Sequence, residues 1–176
     1  MTRHGSWHVV CIAQVMKRAL ALSLLLLVIV SASAIGAHAN PVIIYNPSNS
    51  VPSGFYVRAT ELLRPGMYVT VQAVRVAPEY AAARDYADPT DRFLKRVAAM
   101  PGQVVCAEGD VISIDGVEAA SREERDSMGR TLPSWRGCRT LAADEVFLLG
   151  DTHDSFDGRY WGPISTDLIT GIWTPL

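Results

Sequence analysis

Phe93-Leu94-Lys95-Arg96-Val97-Ala98-Ala99-Met100-Pro101-Gly102-Gln103-Val104-Val105-Cys106-Ala107-Glu108-Gly109-Asp110-Val111-Ile112-Ser113-Ile114-Asp115-Gly116 is the stretch that decides the fold class. Three β-like runs, Phe93–Val97, Val104–Cys106 and Val111–Ile114, are cut by Met100-Pro101-Gly102, Glu108-Gly109-Asp110 and Asp115-Gly116. Short strands broken by glycine turns at intervals of about 8–12 residues indicate an antiparallel β fold. Working outward, Phe55–Arg58 and Met67–Val76 read as strands separated by Arg64-Pro65-Gly66, and Pro78–Asp88 as a loop or one short helix. Val146–Leu149 is expected to be a buried strand and Gly171–Thr174 a final short one, whereas Ala119–Trp135 is polar, weakly patterned and expected to be an exposed excursion.

Charge is unevenly placed along the 176 residues. Arg3, Lys17 and Arg18 precede residue 40 and the first acid is Glu61, leaving 13 basic against 18 acidic groups, or −5, in the remainder. That remainder has scattered arginines and one lysine, Lys95, so it offers no basic patch for nucleic acid. Ala19 to Ala37 carries no charge, and as a helix would span about 28 Å, close to the hydrocarbon thickness of a bilayer. Lys17 and Arg18 before it place residues 1–18 in the cytoplasm, 19–37 in the membrane and 40–176 outside, as one domain. Ala37-His38-Ala39 leaves a cleaved signal segment as the competing reading. In an oxidising compartment Cys106 and Cys138 can pair; free thiols are the alternative, and their spacing supplies no metal site.

Three segments carry chemistry. Ser48-Asn49-Ser50-Val51-Pro52-Ser53-Gly54-Phe55-Tyr56 is a proline-restrained turn that can fix a serine hydroxyl, although such turns are also ordinary punctuation. On a strand, Lys95 shares a face with Phe93, Val97 and Ala99. Burial there would lower its pKa from about 10.4 and leave it able to accept a proton, whereas an edge position would let the head reach water. Gly150-Asp151-Thr152-His153-Asp154-Ser155-Phe156-Asp157-Gly158-Arg159-Tyr160-Trp161-Gly162-Pro163 is dense in groups suited to charge-assisted bonds and lacks the spacing of a calcium loop. His153 invites a Ser-His-Asp triad, but between two acids it reads as a solvated histidine.

In order and wording these segments resemble the three catalytic boxes of type I signal peptidases. The first box, with Ser50 two residues before Pro52, is similar to the plasmid conjugative-transfer peptidases of the TraF type; general secretory enzymes place the serine three before, where Asn49 stands. The resemblance implies a coiled antiparallel β domain, mostly β, behind one N-terminal transmembrane helix. It assigns Ser50 as nucleophile and Lys95 as general base, with Ser48 and the Ser50 N–H as the oxyanion hole. Ser155 would orient the lysine, Asp157 and Arg159 would form a loop-holding ion pair, and Leu94 would contact substrate. Gln103 stands where the family often has Asp, and Gly150–Ser155 is one residue shorter than in many secretory enzymes. The implied enzyme is an inner-membrane serine endopeptidase with its domain in the periplasm. It would need no cofactor and would act on a membrane-inserted precursor such as a conjugative pilin propeptide, whose own amine can resolve the acyl-enzyme into a cycle. A general secretory signal peptidase and a non-catalytic anchored binding domain are the rival expectations.

Overall fold

Val69, Thr70 and Val71 are buried on both faces of one strand, which therefore belongs inside a sheet covered on both sides. The structure, a computed structural model, describes residues 16–18, 20–27, 41–84, 86 and 88–176. It divides into two compact units, Met1–Pro41 and Val42–Leu176. In the first, residues 16–18 and 20–27 are helical, and the rest of the expected anchor, residues 19 and 28–37, lies outside the described residues. Among the described residues no helix is long and apolar enough to cross a membrane.

The second unit is built from antiparallel strands. Its larger sheet has the order β1 (Ile43–Asn46), β2 (Gly54–Ala59), β11 (Ile169–Pro175), β3 (Tyr68–Gln72), β4 (Arg92–Ala99), β9 (Glu145–Leu149) and β10 (Ile164–Ser165). The smaller runs β7 (Val117–Ser121), β6 (Val111–Ile114), β5 (Val104–Glu108), β8 (Gly137–Thr140). Two larger buried clusters lie around them, beside a smaller one of Val51, Tyr56, Leu94 and Trp173. Val69, Val71, Phe93, Val97, Val146, Leu148, Phe156 and Tyr160 form most of one. Ala99, Val105, Ala107, Ile112, Leu141, Phe147 and Leu149 form the other.

Strand β4 reaches both clusters because its register against β9 shifts between Val97 and Ala99, re-aiming the side chains beyond the shift. The turn after it is held by Gln103, which accepts from the Met100 N–H (2.9 Å) and donates to Asp115 (2.8 Å). Gln103, one of the two departures from the pattern that the resemblance implies, therefore closes a turn.

Two expectations need correction, and one strand was missed. The run Met67–Val76 is not one strand: β3 ends at Gln72, and Ala73–Val76 is a helical turn, α1, followed by α2 (Pro78–Ala82). Gln72 is paired with Arg92, the first residue of β4, so the ladder has no partner beyond it, and Ala73 N–H turns aside to the Asp91 carbonyl (3.0 Å). The excursion expected over Ala119–Trp135 begins inside β7 and carries a bridge between Arg125 and Thr131. Strand β8 was not anticipated, because all four of its residues are exposed and show no apolar alternation.

Candidate active site

The turn between β1 and β2 carries Ser48 and Ser50, and one amide organises it. Asn46, the last residue of β1, is buried, and its Nδ2 donates to the carbonyls of Ser48 (2.9 Å), Val51 (3.2 Å) and Pro52 (3.1 Å). Its Oδ1 accepts from the Ser48 N–H (3.2 Å), closing an Asx turn. Tyr56 adds a bond from its hydroxyl to the Pro52 carbonyl (2.5 Å). Burial pushes that phenol up to about 12, with Tyr68 and Asp151 adding to the rise and Arg96 opposing it, so it remains a donor. Val51 beyond Ser50 is fully buried against Tyr56, Leu94 and Trp173, which leaves Ser50 at the surface of a pinned turn.

Lys95 projects from the middle of β4, paired with Val69. It is 4% exposed, flanked on its own face by Phe93 and Val97, so the buried alternative applies. Its Nζ donates to Ser50 Oγ (3.0 Å) and to Ser155 Oγ (3.0 Å). Burial is the largest influence on the amine and lowers it from its ordinary 10.5 to about 8; Asp157 raises it, Arg159 lowers it, and Asp151 and Asp154 raise it. Ser48 Oγ lies 2.8 Å from Ser50 Oγ and accepts from the Ser50 N–H (3.2 Å), so two donors, a hydroxyl and an amide, sit side by side beside Ser50.

The loop after β9 brings Ser155 to the lysine. Asp157 and Arg159, both almost fully buried, pair through Nε (2.9 Å) and a second guanidinium nitrogen (3.0 Å). Asp157 also accepts from the Gly150 N–H (2.7 Å) and the Arg159 N–H (3.1 Å), while Arg159 donates to the carbonyls of His153 (2.6 Å), Thr152 (3.0 Å) and Ser121 (3.1 Å). One ion pair thereby gathers both ends of the loop. Its first residue must be glycine: a Cβ on Gly150 would lie 2.1 Å from Ser155 Oγ and 2.7 Å from the Ser50 carbonyl. Gly158, the first residue of α3 (Gly158–Trp161), is confined in the same way by the Leu148 carbonyl at 2.5 Å.

Ser48, Ser50, Leu94, Lys95 and Ser155 line one groove of about 670 Å³, with Asp157 and Arg159 behind its loop. Leu94 both borders the groove and packs on Val51 and Trp173. His153 is exposed and does not border the groove. Cys106 and Cys138 are joined, as directly opposed residues of β5 and β8 in the smaller sheet. Two contributors were missed from sequence: Asn46, and the Asp151 N–H that donates to the Ser50 carbonyl (2.6 Å). An asparagine directly before proline at the end of an apolar run was the available signal for the first; the second is a contact between distant segments.

The family model described as signal peptidase, peptidase S26, matches residues 14–174. The chain is similar to a plasmid transfer protein TraF of Escherichia coli, 30% identical over 142 residues that cover 74% of this chain and 80% of that one. A conjugal transfer protein TraF of Agrobacterium fabrum is 35% identical over 86 residues, 48% of each chain. Among solved structures, a signal peptidase I from Enterococcus faecalis aligns at a TM-score of 0.40 and 20% identity, over 66% of this chain and all of that one. With nearly its whole length matched by that model, and with a relative at this level of identity, the chain belongs to the signal peptidase family, peptidase S26.

Proposed function

We propose that this chain is a membrane-anchored serine endopeptidase with a Ser50/Lys95 dyad, working on the periplasmic face of the inner membrane on a membrane-inserted precursor. The observation that carries the reading is the 3.0 Å contact between Ser50 Oγ and a lysine amine that burial lowers to about 8. At pH 7 about a tenth of such an amine is neutral, enough to supply a base. Neutral Lys95 keeps a donor bond to Ser155 Oγ and turns its lone pair to the Ser50 hydroxyl. As Ser50 Oγ attacks the scissile carbonyl, its proton passes to Nζ. The negative oxygen that forms is met by the Ser48 hydroxyl and the Ser50 N–H, which exchange their mutual bond for bonds to the substrate. The ammonium then protonates the departing amine, leaving an acyl group on Ser50, and water or a second amine resolves it.

Similarity to plasmid and conjugal transfer proteins supports a precursor belonging to a conjugation apparatus; a pilin propeptide is the specific substrate we propose. The test is processing of that precursor by the full chain in detergent. Ser50→Ala should abolish cleavage while changing stability by less than about 1 kcal/mol, since it creates no sizeable cavity. Lys95→Arg should be equally inactive, because a guanidinium cannot give up its proton. Product formed by either variant removes the dyad.

A further inference from the structure

Part of the groove's wall comes from outside the segments that carry Ser50, Lys95 and Ser155. Tyr80 on α2 forms it, with its ring stacked on Phe156 at 9° and edge-on to Phe93, and all three rings line the groove that contains Ser50 and Lys95. Helix α2 has five residues and cannot hold a side chain in place by itself. What fixes Tyr80 lies on its other face: the Arg84 guanidinium sits 3.9 Å from the ring centroid. Arg84 is in turn tied to Asp126 (2.7 Å), with side chains only 8% and 15% exposed.

Asp126 belongs to the excursion after β7, and is itself held by Arg130 Nε (2.8 Å) and the N–H groups of Arg130 (2.8 Å) and Met128 (3.0 Å). Arg130 also reaches the Ala83 carbonyl (3.3 Å). The excursion is therefore fastened to α2 beside Tyr80, and Arg84 is kept in this position although its Nε is buried without a hydrogen-bond partner among the described residues.

We propose that Tyr80 limits the size of the substrate side chain the groove admits, and that Asp126, acting through Arg84, is the residue that positions it. The inference rests on the substrate lying in the groove beside Ser50. With the guanidinium locked, the Tyr80 ring is sandwiched between Arg84 and Phe156 and cannot swing away, so a bulky substrate residue meets a fixed wall. Removing the ring opens space; releasing the guanidinium lets the ring yield.

The probe is a set of fluorescent peptides spanning a cleavage site, each with one position N-terminal to the scissile bond changed to Ala, Leu, Phe or Trp. Binding to the full chain in detergent is read by anisotropy in a Ser50→Ala background, with kcat/KM measured in parallel on the Ser50 protein. Tyr80→Ala should shift the preference at one position toward the larger residues by about tenfold, the order expected for a change of pocket size. Asp126→Asn should shift the same position in the same direction. Should Asp126→Asn not fold, Arg84→Met releases the ring equally. An unchanged preference in Tyr80→Ala overturns the proposal, and a shift in Tyr80→Ala without one in folded Asp126→Asn or Arg84→Met overturns the positioning role. Cleavage persisting in the Ser50→Ala protein is a failure of the dyad instead, and the preference is then read from its cleavage rates.

Discussion

Lys95 is neutral more readily in the folded protein than in the unfolded chain, and this has consequences for both rate and stability. A base must be unprotonated, so processing should rise with pH through an apparent pKa of about 8, measured on one precursor peptide in detergent. His153→Ala should leave that profile nearly unchanged, since the imidazole is exposed and does not border the groove. For stability, the folded pKa is below the unfolded one, so between about 8 and 10.5 the unfolded chain binds more protons and stability rises with pH. Below that window the full cost of holding the amine is present, about 3 kcal/mol for such a shift. Lys95→Met should therefore be inactive yet more stable than the parent by up to about 3 kcal/mol at pH 6, with the difference shrinking toward pH 10. Urea unfolding at the two pH values checks this, and an equal difference at both would mean burial does not set the amine. At this scale the lysine was legible because it stands alone on an apolar strand face. Asn46 was not, because its importance lies in how many carbonyls converge on it, and a sequence does not display convergence.

Among the elements, the loop between β9 and α3 carries the largest concentrated risk. Its two ends and its middle all bond to one buried pair, Asp157 with Arg159. Asp157→Asn would leave the guanidinium buried without its counter-charge, a loss of about 3–5 kcal/mol. Denaturant unfolding should show that loss, and hydrogen exchange should show the 150–157 segment opening before the sheet does. An unaltered loop would assign the ordering to backbone contacts alone. The same scale explains what could be foreseen of the fold. Strands β4, β5 and β6 each end at a glycine turn and each bury at least one apolar residue, so pattern and punctuation agree on them. Strands β7 and β8 are mostly exposed and their pairing is decided by a neighbour, while α1 interrupts an apolar run only because β4 begins too late to pair with it.

The whole molecule separates chemistry from reinforcement. Ser50, Lys95 and Ser155 all sit on, or on loops between, strands of the larger sheet, whereas the Cys106–Cys138 link closes a separation of 32 residues within the smaller one. Reduction should lower stability by about 3–4 kcal/mol in the chain-entropy model. It should leave the processing rate at moderate temperature nearly unchanged, as read from thermal unfolding and cleavage with and without reductant. Alkylation of both cysteines only after reduction would report the link directly. The order of strands has a further implication. Strand β11, residues Ile169–Pro175, lies between β2 and β3, joining the part of the sheet that carries the Ser50 turn to the part that carries Lys95. During synthesis the turn that bears Ser50 and the strand that bears Lys95 are both made well before the strand that pairs with their two parts of the sheet. If the proposed dyad is the active centre, cleavage should begin only once β11 has been made, and a chain truncated before Ile169 should not process a precursor peptide in detergent.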